Sequence, residues 1–491
     1  MYKFQLEEKT LPDVPREKWK QFTGWYERVL LNAEVYDYRY PGKGMGVWLP
    51  YGFKLRQKVY DYLKKLQLAN GYSEVLFPTL IPEDLFKRES EHVASFEKEV
   101  FWITRGGGKE LDKKYVLRPT SETAMYYMFS LWVNSYNDLP LKIFQIVNVF
   151  RYETRATHPL YREREISPFF ESHCAFATAE ENEIEVKKAI KIYSDFFDWL
   201  GIPYLITKRP DWDKFPGAEY TIAFDTITPN GRTLQIGTVH NLGQNFSRAF
   251  DIKVQYLDGS IRYAWQMCFG VSGRVITALI AAHGDDHGLV LPPHIAPIRV
   301  VIIPIPYKGY EKKILQKAIE ISKLLSDLSI ANILDDSEDT PGSKYYKWEL
   351  KGIPIRIEIG PRDLSDQTVT LVRRDTLEKI TVPEKNLVDE IISLEKKIWE
   401  NLRDRAIKYF KSKIRETDNI DFARNAIQNG YVIQTYWCGK KKCGEKLEEK
   451  TNAKFIGIII DKEMKEEVVE AKMCVNCKNK AKYKIILAKS Y

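Results

Sequence analysis

The spacing of hydrophobic and polar positions divides this chain into stretches that follow different rules. In residues 53–69, Phe53, Val59, Leu63 and Leu66 share one helical stripe, which Asn70-Gly71 ends. Val75, Leu76 and Phe77 form a short strand-like run bounded by Pro78 and Pro82. From there to about residue 250, strand-like runs at 115–117, 143–152, 221–225 and 233–236 are separated by loops and two helices, 121–136 and 181–200. The second helix sets Ile184, Ala189, Ile192, Tyr193, Phe196 and Phe197 at helical spacing. Few parallel strand–helix–strand units occur, so this half predicts an antiparallel sheet with helices packed on it.

Residues 291–297, Leu-Pro-Pro-His-Ile-Ala-Pro, read as a linker, because three prolines in so short a run suit neither a helix nor a central strand. Beyond it, strands at 299–305, 330–334, 354–359 and 368–373 alternate with helices at 311–328 and 343–351, and a long helix starts near Pro383. That alternation predicts a separate α/β domain. The last stretch is rich in Lys and Glu and contains paired cysteines. The expected organisation is α+β, with domains at 1–290, 291–410 and 411–491.

Composition narrows the function classes. A chain of 491 residues with 13% aromatics has enough material for several packed cores and is unlike a disordered chain. No run of about 18 apolar residues occurs, and the N-terminal Met1-Tyr2-Lys3-Phe4-Gln5-Leu6-Glu7-Glu8 lacks a secretory layout, so a cytoplasmic protein outside the membrane is expected. The net charge is +8, and residues 411–491 hold 18 Lys and Arg against 11 Asp and Glu. A polyanion partner fits this surplus, and so does an ordinary solvated surface. Four of the six cysteines fall as Cys438, Cys443, Cys474 and Cys477, enough thiolates for a closed tetrahedral zinc site. Cys174 and Cys268 lie far from them and read as core thiols.

Two constellations carry possible chemistry. In Phe150-Arg151-Tyr152-Glu153 the Arg and Glu lie two apart on a strand and share a face, so one can clamp an anion while the other accepts from an amine. Alone, the quartet reads first as a surface ion pair. In Gly270-Val271-Ser272-Gly273-Arg274, small residues lead into an apolar helix whose start can receive phosphate, although a plain helix start reads the same way.

Taken in order with the segment from Gly71 to Pro78, these stretches resemble the three motifs of class II aminoacyl-tRNA synthetases. The detail resembles the prolyl-tRNA synthetase family of archaeal and eukaryotic type. Leu117-Arg118-Pro119-Thr120-Ser121-Glu122-Thr123, Arg162-Glu163-Arg164-Glu165-Ile166, Glu171-Ser172-His173-Cys174, Gly237-Thr238-Val239-His240-Asn241, Trp348-Glu349-Leu350-Lys351-Gly352 and Gly360-Pro361-Arg362-Asp363 carry it, with Ala488-Lys489-Ser490-Tyr491 at the end. Ser172 and Cys174 depart from the family pattern.

The resemblance implies a class II antiparallel sheet with flanking helices, an anticodon-binding domain and a small zinc-containing domain. It implies proline activation by ATP with magnesium, transfer to tRNA(Pro), and a homodimer. By the same resemblance Arg151 and Arg274 are catalytic. Arg151, Glu153, Arg162, Gln235, Thr238, Ser272 and Arg274 meet ATP. Thr120, Glu122, Arg151, Phe169, Glu171, His173 and His240 meet or brace proline, although His173 also reads as a hydrogen-bonded core histidine. Phe96, Glu99 and Val100 fall in a loop that closes over the amino acid. Glu349, Lys351, Arg356, Glu358, Arg362 and Asp363 mark the anticodon region, and Tyr491 tucks back toward the catalytic domain. The span from Thr178 to Gln235 is too short for an inserted editing domain. Synthetases for threonine, glycine or serine, or a synthetase-like regulator without activity, are the competing readings. The Thr120-Ser121-Glu122 loop with His173 argues against the first and the two arginines against the second.

Overall fold

The computed structural model describes Lys18, residues 21–88 and residues 98–491. An eleven-stranded sheet organises most of it. From one edge the strands are Ser73–Glu74, Leu141–Phe150, Glu165–Phe176, Trp265–Ser272, Thr233–Gly243, Tyr220–Ile227, Leu205–Lys208, Lys454–Ile459, Tyr483–Ala488, Val432–Trp437 and Ile414–Glu416. Only the outermost pair at each edge is parallel, so the expected antiparallel sheet is present.

Because successive strand residues point to opposite faces, the sheet separates two cores. Phe144, Cys174 and Phe269 pack with the helices Pro50–Ala69, Ala179–Leu200 and Arg274–His283. Ile143, Ala175 and Cys268 pack with Glu122–Trp132 and Asn245–Phe250 on the other side. Helix Ala179–Leu200 starts with a capping box, in which Thr178 Oγ1 accepts from the Glu181 amide and the Glu181 carboxylate accepts from the Thr178 amide. It ends at Gly201, whose φ of 66° suits a residue without a Cβ. Ile184 does not join the buried stripe and is 55% exposed, because at about 100° per residue it points nearly opposite Val186. The run Val75-Leu76-Phe77 is not a strand either: the strand is Ser73–Glu74, its last bond runs from the Val75 amide to the Phe144 carbonyl, and Leu76 is 80% exposed.

Residues 299–394 contribute to a five-stranded sheet in the order Asn332–Leu334, Val300–Pro304, Ile355–Ile359, Thr368–Arg373, Lys379–Pro383. Its first three strands are parallel, as the strand–helix alternation predicted. The proline-rich connection into it is packed, not a free tether: Leu291, Ile295 and Ala296 are buried in the same core as Leu55 and Val301. The C-terminal stretch has its own core of Ile427, Ile433, Trp437, Leu447, Phe455 and Ile485, and it continues the large sheet through Ile458 opposite Lys208 and Ile459 opposite Thr207. Among the described residues, no helix is long and apolar enough to cross a membrane.

Candidate active site

Three neighbouring strands build the floor of a cavity of about 390 Å³. Their register sets His240 opposite Cys268 and Cys268 opposite His173, then Thr238 opposite Gly270 and Gly270 opposite Glu171, then Ser272 opposite Phe169. Period two therefore brings all these residues to one face. Gly270 keeps that floor low, since a Cβ there would come within 3.2 Å of the Phe169 ring and 3.3 Å of the Phe170 carbonyl. Every catalytic, nucleotide and proline residue expected from the sequence lines this one cavity, including Thr120, Glu122, Arg151, Glu153, Arg162, Gln235 and Arg274 from other elements.

The cavity is electrostatically divided. Arg162 and Arg274 mark one end, and Arg151 stands between them and the carboxylates of Glu99, Glu122 and Glu171. Arg151 Nε donates to the Pro119 carbonyl at 3.2 Å, and Arg274 Nε donates to the Tyr161 carbonyl at 3.0 Å. Burial, and then the charges of Arg151 and Arg162, lower the pKa of Arg274 to about 10. Glu153 Oε1 accepts from the Arg155 amide at 2.8 Å, while its other oxygen lies 3.9 Å from Arg162 Nε. Arg164 crosses the Tyr152 ring at 4.0 Å and donates to the Glu153 carbonyl, holding this turn.

The other end is acidic. Glu122 accepts from the Thr120 hydroxyl, and Cys268 Sγ lies 3.6 Å from its second oxygen. Glu171 accepts from Ser121 Oγ, from Gln145 Nε2 at 2.7 Å, and meets His173 Nε2 at 3.3 Å. Burial alone would raise the Glu171 carboxyl, but the hydrogen bonds from His173, Ser121 and Gln145 outweigh it and hold it below the usual range. His173 is buried and also meets the Tyr126 hydroxyl at 3.0 Å, so it is a hydrogen-bonded brace at the cavity wall. His240, bonded to Thr221 Oγ1 at 2.9 Å and packed on Phe215, is pushed down to about 3 by burial, then by His173 and Arg209, and is neutral.

Sequence reasoning missed several lining residues. Cys268 is a cavity thiol as well as a core one, whereas Cys174 lies in the core beside Tyr72. Glu163 accepts from the Tyr36 hydroxyl at 2.7 Å, and burial raises its pKa to about 7. Arg209 and the segment from Asp213 to Pro216 also line the cavity, and no local motif marks them. Glu99 lines it too and Val100 packs nearby, while Phe96 lies outside the described residues. Tyr491 reaches back to stack edge-on against Tyr161 at 4.9 Å and accepts from Asn230 at 2.8 Å. Since the Tyr161 carbonyl holds Arg274, one residue separates the chain terminus from a cavity arginine.

The anticodon candidates do not form one open surface. Arg356 bonds Glu349 at 2.7 Å and Glu358 at 3.0 Å, Glu358 also pairs with Lys379, and Arg356 stacks on Tyr345 at 4.0 Å. Lys351 is nearly buried and pairs with Glu34 at 2.8 Å across the seam to the large sheet, and Asp363 caps the Gly360 amide. Arg362 is exposed. The four cysteine sulfurs Cys438, Cys443, Cys474 and Cys477 lie within 4.8 Å of one another, with Cys443 and Cys474 at 3.6 Å. Zinc–sulfur bonds of about 2.3 Å give a tetrahedral sulfur–sulfur edge of about 3.8 Å, so the donor set fits a closed zinc site.

Comparisons agree along the chain. The profile "tRNA synthetase class II core domain (G, H, P, S and T)" matches residues 101–283, "Anticodon binding domain" matches 299–394, and "Prolyl-tRNA synthetase, C-terminal" matches 420–491. The chain is 53% identical over 484 residues to a proline–tRNA ligase of Sulfurisphaera tokodaii, covering 97% of this chain and 100% of the relative. It is 51% identical to that of Methanopyrus kandleri, covering 98% of each. The solved structure of Giardia lamblia prolyl-tRNA synthetase in complex with prolyl-adenylate superposes with a TM-score of 0.93 at 36% identity, covering 98% of this chain and 100% of that one. The chain belongs to the proline–tRNA ligases, within the class II aminoacyl-tRNA synthetases.

Proposed function

We propose that the divided cavity carries out proline activation and transfer with the following assignment of roles. The proline carboxylate attacks the α-phosphorus of ATP in line, pyrophosphate leaves, and the terminal ribose hydroxyl of tRNA(Pro) then attacks the prolyl carbonyl and releases AMP. The protein's contribution is positioning and charge stabilisation. Arg151 bridges the α-phosphate and the carboxylate. Arg162 and Arg274 meet the outer phosphates, with magnesium held mostly by those phosphates. Glu153 accepts from the adenine amine, and Gln235, Thr238 and Ser272 flank the nucleotide. At the acidic end Thr120 and Glu122 receive the secondary ammonium, while Phe169, Glu171, His173 and neutral His240 shape or brace the ring slot.

The carrying observation is the charge separation. Burial, and then the charges of Arg151 and Arg162, lower the pKa of Arg274, an arrangement suited to a polyanion, while Glu122 and Glu171 set carboxylate charge on the far side of Arg151, suited to a cation. Between Thr178 and Gln235 the chain is occupied by helix Ala179–Leu200 and sheet strands, so no inserted editing domain is present.

The remaining assignments follow the same reading. Cys438, Cys443, Cys474 and Cys477 would hold a structural zinc with no position left for water. Residues 291–410 form the anticodon-binding unit, with exposed Arg362 in the region that faces splayed bases and the Arg356 network bracing it from within. A homodimer is supported by Leu76, 80% exposed beside the class motif, and by Leu131 and Trp132, 53% and 43% exposed. The place of action is the cytoplasm, and 1–290 and 411–491 are the catalytic and zinc-binding units. Amino-acid-dependent exchange between ATP and pyrophosphate, run across the twenty amino acids, tests the reading. Exchange driven by proline is expected, and exchange driven only by another amino acid would overturn it.

A further inference from the structure

Arg209 lines the cavity beside Gln235 but belongs to no motif. It is nearly buried, and its guanidinium is fixed from several directions. Nη2 donates to Asp225 at 2.9 Å and to Gln235 Oε1 at 3.0 Å, while Nη1 reaches Thr207 Oγ1 at 3.5 Å and donates to the backbone carbonyl of Ile456. Asp225 is fully buried, which anchors the charge.

Two consequences follow from donor and acceptor chemistry. A guanidinium only donates, so the Gln235 amide must present its oxygen to Arg209. Its NH2 is then the end left to donate, and ribose or phosphate oxygens are acceptors it would suit. Were that amide free to flip, it would set oxygen against oxygen. Second, the Ile456 acceptor comes from the C-terminal region. In strand Lys454–Ile459 the pairing jumps from Phe455 opposite Leu487 to Gly457 opposite Ile486, so Ile456 is the extra residue of a β-bulge. That leaves its carbonyl available to Arg209. Gly457 permits the bulge: its φ is 154°, and a Cβ there would come 2.7 Å from the Lys208 carbonyl.

We infer that Arg209 is a positioning residue which fixes the Gln235 amide for the nucleotide and makes ATP binding depend on the bulge at Ile456 and Gly457. This rests on the assignment of ATP to that end of the cavity. The difference from the motif arginines is that Arg209 acts through Gln235 and need not touch the reacting phosphates.

The test uses the full chain with Arg209→Met, Arg209→Lys and Gly457→Ala, well below the melting temperature of each. ATP binding is read by calorimetry, and KM for ATP and for proline by pyrophosphate exchange. Loss of one oriented, charge-supported hydrogen bond should weaken ATP binding roughly 10-fold in Arg209→Met. Arg209→Lys should fall between it and the original, and Gly457→Ala should shift ATP in the same direction by less, all with KM for proline unchanged. A purely structural role would move both KM values together or only kcat, and either result would overturn the inference, as would unaltered ATP binding in Arg209→Met or Gly457→Ala. Calorimetry reads ATP without turnover, so absence of proline-dependent exchange in the original chain would count against the functional reading alone.

Discussion

Arg274 in the cavity and Arg356 in the five-stranded domain are both withdrawn from bulk water, yet they are held by different kinds of partner. Arg274 donates to a neutral carbonyl, that of Tyr161, and the charges that most affect it are other arginines. Arg356 lies between the carboxylates of Glu349 and Glu358, and Glu358 in turn takes Lys379. A backbone carbonyl orients a cation without cancelling its charge, which stays available to a ligand. A carboxylate cancels it and stabilises the fold.

The largest test of that contrast is Arg274→Ala. Removing a cation positioned against developing charge should lower proline-dependent exchange by about 10²–10³-fold. Because the change also removes a crowded like charge, the urea midpoint should hold or rise. A fall of exchange with an equal collapse of stability would erase the distinction. Arg356→Ala is the mirror experiment: leaving Glu349 without this cation and Glu358 with Lys379 alone should reduce unfolding free energy by about 3 kcal/mol, seen in a urea titration.

The cysteine cluster tests a third kind of holding, by metal. Cys474→Ser should release the roughly one equivalent of zinc expected per chain, measured by metal analysis. Since the region has its own core and shares strands with the catalytic sheet, its protease sensitivity should rise first around residues 438–477, with Val432–Trp437 and Tyr483–Ala488 yielding later. A protease-resistant, zinc-free chain would contradict the metal assignment.

The smallest effect concerns Glu163, a cavity carboxyl held by a neutral phenol. Its pKa is raised from 4.5 to about 7, so the folded chain binds this proton more tightly than the unfolded one. Its contribution to stability therefore falls as pH rises between those two values and is flat above them. Glu163→Gln should remove that slope, and urea midpoints across this window would measure it. An unchanged slope would show that Glu163 is ionised throughout.

The motif residues were legible because each lies in a short run whose pattern survives without the fold. Phe169, Glu171 and His173 share a face by period two along one strand, whereas the strand expected to carry Arg151 and Glu153 ends at Phe150, and the Glu153 amide turns back onto the Arg151 carbonyl, so for that pair the residue types were legible and the strand was not. What escaped depends on partners far away in sequence. Arg209 takes its meaning from Ile456, 247 positions on, and Lys351 is spent on Glu34 at a seam between domains instead of standing out toward RNA. The C-terminal unit was expected as a small separate zinc-containing domain. A hydrophobic stretch such as 454–459 states that it is a strand but not which strand it joins, so its place in the large sheet was hidden. Ile184 was misplaced for the opposite reason, since any hydrophobic residue at helical spacing is readable as core until the packing face is known.

The continuity of the eleven strands has a consequence for synthesis on the ribosome. Strand Leu205–Lys208 is covered only when Lys454–Ile459 arrives, roughly 250 residues later. At about 5–20 residues per second, that edge waits roughly 10 to 50 seconds with open backbone donors and acceptors, the surface on which sheets recruit the wrong neighbour. Lys208 at the end of that strand puts a charge on the waiting edge, and the nascent chain completes this sheet only when the strands from Ile414 to Ala488 have emerged.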